Sequence, residues 1–142
     1  MVLIWRNAEK VRNFSHNSHE IEQVEHERWF SQKLREIQKE PFWIILSDGN
    51  NAGFVRYDQS KKYPGSMEVS ILVADEYQRL GIARRILPYS MKRIREEFGV
   101  RSIYADVHIN NVGSLSLFED SGFRFVSKDT NFETLQCLIE SI

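Results

Sequence analysis

Gly81 stands between an apolar run, VSILVA, and a long charged amphipathic segment, inside the stretch EYQRLGIARRI at residues 76–86. Arg79, Arg84 and Arg85 crowd it on both sides. A strand that gives way to a helix at a glycine aims several backbone N–H groups at one point. The first N–H groups of a helix have no internal partners, and the helix dipole makes that end positive. A glycine lets a ligand approach the backbone where a Cβ would block it. Ala83 is nearly as small, and guanidinium forks suit phosphate oxygens. The chemistry on offer is a cradle for a phosphate or pyrophosphate, built on Gln78, Arg79, Leu80, Gly81, Ile82, Ala83 and Arg84. An ordinary strand-to-helix turn with a solvated basic end uses the same residues, and the stretch alone does not choose between the two. It is neither the dinucleotide fingerprint nor the P-loop. Both need more glycines, and the P-loop needs GK[ST].

Two strand-like segments carry further polar side chains in alternation. Glu68, Ser70 and Leu72 share one face of MEVSILVAD, and Tyr104, Asp106 and His108 share one face of SIYADVHI. Alternation does not say which face meets a cleft. The single cysteine, Cys137, excludes an internal disulfide and offers no metal-ligand spacing, so no metal is expected.

These residues need elements to position them. Residues 1–13 read as a short helix and residues 20–40 as a longer one, with Ile21, Val24, Phe30, Leu34 and Ile37 at helical spacing and Pro41 at its end. FWIILS and GFVRY flank the turn cluster DGNN and predict a β-hairpin. MEVSILVAD is a third strand. Residues 81–98 predict a helix whose apolar face is Ile82, Ile86, Leu87, Met91, Ile94 and Phe98, with Gly99 suited to its C-cap. Pro88 in its interior removes the bond to the Arg84 carbonyl and should kink it. SIYADVHI is a fourth strand, SLSLFEDSGF a short helix closed by Gly122, and RFVSKD and TLQCLIES two more strands. Interspersed helices and strands predict an α/β (α+β) fold, a mixed sheet of about six strands covered by helices.

The 142 residues fit one domain spanning 1–142. A formal charge of −1 argues against bulk attraction to nucleic acid or anionic membrane. No apolar run approaches the roughly 20 residues of a membrane span, and MVLIWRNAEK is too short in apolar character for a signal peptide. A cytoplasmic protein without nucleic-acid or membrane partners is the expectation.

QRLGIA resembles the Q/R-x-x-G-x-G/A motif of the GNAT superfamily of acyl-CoA-dependent N-acetyltransferases. MEVSILVAD resembles that family's central strand. NNVGSLSLFEDSGF resembles its later segment through Asn111, Ser114, Phe118, Gly122 and Phe123. The likeness spans roughly residues 42–130, and the order and spacing of the motifs are more specific than any one of them. WRNAEKVRNFS, SHEI and EHERWF look like the branch of nucleotide-amino-sugar N-acetyltransferases of the pseudaminic acid pathway type. They resemble the ribosomal-protein acetyltransferases more loosely. Members of the first branch usually have a strand upstream of WRN. Here only four residues precede it, so the sheet is expected to lack that strand or borrow a substitute.

The resemblance implies transfer of acetyl from acetyl-CoA, as co-substrate, to a primary amine. The cradle would hold the CoA, Asn111 its pantetheine amides, and Ser114 would lie near its phosphates. Read from the residues, Asn111 as N-cap with Ser114 at N3 is a good capping arrangement, and both roles can coexist. In the family a backbone N–H on the central strand, where it splays from its neighbour at a bulge, polarises the thioester carbonyl. By position this is Leu72, with Val73 and Ala74 nearby. Glu68 is the candidate base, with Asp106 as a second catalytic carboxylate; an edge salt bridge or a polar sheet face would use the same residues. Many relatives have Tyr where this chain has Phe118, and Phe has no proton to give the leaving thiolate. A thiolate with a Cys-like thiol pKa of about 8.5 can still leave. Trp5, Arg6, Asn7, Arg12, His16, His19, His26 and Trp29 are types suited to a sugar nucleotide, since aromatic faces stack on bases and arginine binds diphosphate. Trp29 and Phe30 would equally serve as core.

Three functions follow. The first is acetylation of a small-molecule amine, a nucleotide-linked amino sugar foremost. The second is acetylation of a protein N-terminus. The third is acyl-CoA binding without turnover. A homodimer is expected by analogy with the family.

Overall fold

The computed structural model describes residues 2–8, 20–37 and 39–139. A short helix, α1 (Val2–Asn7), is followed by α2 (Gln23–Arg35). Then come β1 (Phe42–Ser47), β2 (Asn50–Gln59) and β3 (Met67–Val73), a 3-10 turn at Asp75–Tyr77, and α3 (Ile82–Phe98). The chain closes with β4 (Ser102–His108), α4 (Val112–Asp120), β5 (Arg124–Lys128) and β6 (Phe132–Leu138). Residues 9–13 of the expected first helix, and Arg12, His16 and His19, lie outside the described residues. No helix among the described residues is long and apolar enough to cross a membrane.

The strands form one mixed sheet of six in the order β1-β2-β3-β4-β6-β5. Only β3 and β4 run parallel. The mixed six-stranded sheet expected from the pattern is therefore present. β1 lies at one edge, and the elements described before it are the helices α1 and α2. The hairpin turn between β1 and β2 is Asp48-Gly49, both with positive φ (49° and 82°). That is the two-residue turn whose twist matches the flanking strands.

Alternation gives the sheet two unlike faces. On one, Val55, Tyr57, Met67, Val69, Ile103, Ala105, Val107 and Leu135 form the main core with Leu87, Met91 and Ile94 of α3 and Leu117 and Phe118 of α4. The apolar stripe of α3 thus faces the sheet as its periodicity predicts. The helix runs through Pro88 and ends on Gly99 in the left-handed conformation. Tyr57 and Ser90 hydrogen-bond at 2.7 Å within this core, and the Ser90 hydroxyl donates to the Leu87 carbonyl, so Tyr57 is the donor to Ser90. Burial holds the Tyr57 phenol well above its ordinary pKa.

On the other face α1 and α2 cover β1 and β2. Val2, Phe42 and Phe54 are buried there, with Trp5, Trp29, Phe30 and Leu72 packed against them. The expected stripe of α2 is corrected here. Val24, Leu34 and Ile37 are exposed, and the inward side carries His26, Trp29, Phe30 and Lys33. The reason is the surface it meets. β2 offers Phe54 beside Arg56 and Asp58, and aromatic and long cationic side chains satisfy that mixture better than aliphatic ones.

Gly53 is where the sheet is tightest. The Leu72 carbonyl oxygen occupies the space a Cβ on Gly53 would take, and the Val73 Cα would lie 2.9 Å from it. Gly53→Ala should therefore cost about 1–3 kcal/mol through forced backbone movement, read as a lower urea midpoint. Tyr57→Phe should cost about 1 kcal/mol, the net worth of one buried hydrogen bond, in the same measurement.

Candidate functional site

The site is built on the parting of β3 and β4. They pair only at Met67↔Ile103 and Glu68↔Tyr104. β3 then continues to Val73 alongside β2, in unbroken register from Gln59↔Met67 to Gly53↔Val73. Beyond Glu68 the sheet is open on the β4 side. The expected splay is present. No register shift accompanies it in β3; the irregularities lie between Ile45 and Leu46 of β1 and between Phe125 and Ser127 of β5.

Peptide planarity fixes which amide faces the opening. The Leu72 carbonyl is turned toward Gly53 on β2. In a trans peptide the C=O and the following N–H point opposite ways, so the Val73 N–H is turned away from β2, into the parting. The next peptide is reversed: the Ala74 N–H donates to the Ala52 carbonyl at 2.7 Å. The Val73 carbonyl, facing outward in consequence, accepts from the Gln78 side-chain amide at 3.0 Å. The Val73 amide, at the wide end of the opening, is therefore aimed into it, as alternation also turns that of Ile71, while the expected Leu72 amide is turned to β2. Leu72 itself packs its side chain into the cluster under α1 and α2.

The turn from β3 into α3 has the form the cradle reading requires. Gly81 is the N-cap in the left-handed conformation (φ 77°), and Arg79 shares that conformation (φ 64°). The first bond of the helix runs from the Arg85 N–H to the Gly81 carbonyl at 3.3 Å. This leaves the N–H groups of Ile82, Ala83 and Arg84 without an intrahelical acceptor. A Cβ at Gly81 would meet nothing within 4 Å. Open space adjoins those amides, so the residues fit an anionic group approaching the backbone. Leu80 is exposed, and Ile82 buries its side chain against Ile45 and Ala52. Arg84 is turned elsewhere. It reaches Asp120 at 2.5 Å and Ser116 at 3.5 Å, tying α3 to α4.

At the parallel partner, Asn111 caps α4 by accepting the Ser114 N–H at 3.2 Å, as its spacing predicts. Phe118 does not line a surface. Its side chain is 5% exposed and packs edge-on against Phe123 at 5.0 Å. It serves the core, which corrects its placement among cofactor contacts.

The polar side chains of the central strands share one face. Glu68 stands beside Tyr104 by register, and Asp58 stands opposite Glu68 on β2. Tyr63, from the 60–66 loop, stacks flat on Tyr104 (4.0 Å, 6°). The spacing of Tyr63 carries no signal that would have found it. The Tyr104 hydroxyl accepts from the Gln136 amide at 2.9 Å, and Asp106 accepts from Thr134 at 2.7 Å. No group of three or more His, Cys, Asp or Glu among the described residues could hold a metal ion.

α1 and α2 bring some of the expected acceptor residues together. The Arg6 guanidinium lies 4.0 Å from the centre of the Trp29 ring and donates to His26 Nδ1 at 3.0 Å. Trp5 leans on Phe54 at 6.2 Å. Asn7 is corrected. Its amide donates to the Ile21 carbonyl (2.8 Å) and its oxygen accepts the Ile21 N–H (2.6 Å), so it clips α1 to the chain before α2.

Burial, then the charge of Arg6, lowers the His26 pKa below its ordinary 6.5. A base whose folded pKa is depressed contributes stability that is present above the unfolded value and lost as pH falls through the folded one. Stability should therefore fall as pH drops below 6.5. His26→Gln should lose part of that dependence in urea titrations run across the range.

The chain is 28% identical over 108 residues to an N-alpha-acetyltransferase of Sulfurisphaera tokodaii; the match covers 69% of this chain and 64% of that protein. It thus spans less than two thirds of that relative's length. Among solved structures it resembles the spermidine N-acetyltransferase of Vibrio cholerae in complex with CoA and spermine. The TM-score is 0.83 at 16% identity, over 98% of this chain and 88% of the other. It also resembles a ribosomal-protein-alanine N-acetyltransferase of Brucella melitensis, with a TM-score of 0.77 at 18% identity, over 96% and 91%. At such identities these structures speak for the fold. The acetyltransferase (GNAT) family profile matches residues 5–123, most of the sequence, and the chain belongs to that family.

Proposed function

We propose that this chain transfers an acetyl group from acetyl-CoA to a primary amine. The observation that carries the reading is the open parting of β3 and β4, with the Val73 N–H turned into it and the amides of α3 at its mouth. Ligands in open α/β sheets sit outside the carboxyl ends of the strands at such a break. Acetyl-CoA supplies the thioester. Gly81, Ile82, Ala83 and Arg84 would hold its pyrophosphate through backbone amides, with Gln78 and Leu80 shaping the turn. The Val73 N–H would stabilise negative charge on the thioester oxygen as the amine adds. Glu68, on the face that meets the acceptor, would take the amine proton. Asp106, two residues beyond Tyr104 on that same face, adds negative potential that favours a cationic amine. With Phe118 in the core, the departing thiolate gets no proton from that position and leaves unassisted or takes one from water or another group.

For the acceptor, a nucleotide-linked amino sugar is supported by Trp5, Arg6, His26 and Trp29 meeting at one end of the polar face. A protein N-terminus is the second reading, supported by the 28% identity to an N-alpha-acetyltransferase.

Calorimetric titration of acetyl-CoA should show binding by the wild type that Gly81→Glu abolishes, because the new side chain enters the cradle at a left-handed position. No binding by the folded wild type would sink the reading. Glu68→Gln should lower kcat by about 10²-fold or more with acetyl-CoA affinity unchanged. UDP-linked amino sugars and short peptides, assayed in parallel for thiol release, decide the acceptor. CoA binding without thiol release on any amine would mean a non-catalytic module.

A further inference from the structure

Most half-buried cations in the described structure stand beside a carboxylate. Arg93 stacks on Trp43 at 4.5 Å and reaches Glu97 at 3.2 Å. Lys33 is held by Asp58 and by Glu40 at 3.3 Å. Two arginines on one indole have less: between them they hold one long carboxylate contact, Arg56 to Asp58. The Arg6 and Arg56 guanidinium carbons lie 4.0 and 4.9 Å from the centre of the Trp29 ring. Arg6 donates to the neutral His26, and no carboxylate among the described residues is within salt-bridge distance of it. Arg56 Nε is buried without a hydrogen-bond partner, 3.8 Å from Asp58, whose other oxygen is committed to Lys33.

Two guanidinium groups at one ring repel each other, and burying them costs solvation that an uncharged histidine does not recover. Burial and then the charge of Arg56 lower the pKa of Arg6, with Glu25 opposing them only in part. An anion at the terminal nitrogens of the two forks would offset both charges. The position is informative too. Arg56 stands opposite Ser70 on β3, and the next same-face pair along is Asp58 opposite Glu68. A diagonal neighbour across strands lies about 7–8 Å away.

We propose that Arg6 and Arg56, held against Trp29, bind an anionic group of the acceptor, a phosphate or a carboxylate, within a few ångströms of the amine that Glu68 deprotonates. This rests on the acceptor face assigned above. Arg56 is then a specificity-determining residue, and the preferred acceptor carries both an amine and a nearby anion. A phosphate source is a nucleotide-linked amino sugar. A carboxylate source is an amino acid or a peptide with an acidic second residue.

The test has a binding arm that needs no turnover. Inorganic pyrophosphate is titrated calorimetrically into wild type, Arg56→Gln, Arg6→Gln and the control Arg93→Gln, with the CoA site saturated if CoA binds. Wild type and control should bind alike, and each site variant about tenfold or more weakly, the loss of a charge-assisted fork. Equal binding by wild type and both site variants, with melting curves unchanged, overturns the proposal. Should Arg56→Gln fail to fold, Arg6→Gln and Arg56→Lys carry the comparison. In the kinetic arm Arg56→Gln should raise KM for anionic acceptors and leave kcat, and KM for an uncharged amino sugar, unchanged. An equal rise for charged and uncharged acceptors would assign Arg56 a structural role and overturn it. UDP-linked amino sugars against acidic peptides tell phosphate from carboxylate. If pyrophosphate binds as expected while no acetyl transfer occurs, the transferase reading fails and the anion site stands.

Discussion

Everything in this molecule is arranged around a sheet that comes apart in its middle. A parallel strand pair normally satisfies its backbone along its whole length, and an amide left without an acceptor carries a desolvation cost once water is excluded. Here β3 keeps only two residue pairs with β4, Met67↔Ile103 and Glu68↔Tyr104. The rest of β3 is held by β2 alone. That half of the bond pattern must therefore be secure, and Gly53, which lets the Leu72 carbonyl come closer than any side chain would allow, makes it so. The same contact turns the Val73 amide outward. Strand pairing on one side thus creates a donor on the other.

The parting also sets where the helices begin. β3 and β4 both end near it, and each leads into a helix, through Gly81 on one side and Asn111 on the other. Two positive helix ends converge on the region where the backbone is open. They are solved differently. Asn111 spends its side chain on capping. Gly81 has no side chain, and its amides stay available. Arg84 binds Asp120 and fastens α3 to α4, while the Arg85 guanidinium donates to the Gly81 carbonyl at 3.3 Å. The attraction for an anion at that point combines backbone dipoles with the charge of Arg85.

On the polar face, charge is unevenly distributed. Asp58, Glu68 and Asp106 lie toward the middle of the sheet, and Arg6 and Arg56 gather under α1 and α2. The aromatic cluster of Trp5, Trp29, Phe42 and Phe54 is what permits this. Its rings accept cations on their faces without supplying a compensating charge, so the arginines stay in place with the Arg56 Nε still lacking a hydrogen-bond acceptor.

Much of this was legible from residue order. The 2-residue and 3.6-residue periods placed the six strands and α3, the Asp48-Gly49 turn announced the hairpin, and Asn111 to Ser114 announced a cap. These are local matters, decided by near neighbours along the chain. The partners of Asn7, Phe118 and the Leu72 amide are set by distant segments, and each was misread for that reason; the ion pair that takes the Arg84 side chain to Asp120 is likewise set at long range. Asn7 found a backbone 14 residues on, and Phe118 found a core that wanted a ring. The aliphatic stripe of α2 was real as a pattern, yet the surface beneath that helix was aromatic and charged. The sequence by itself determined the elements and the family. The tertiary structure alone decided which amide faces the opening and which arginines share an indole, because both depend on long-range register that no local pattern encodes.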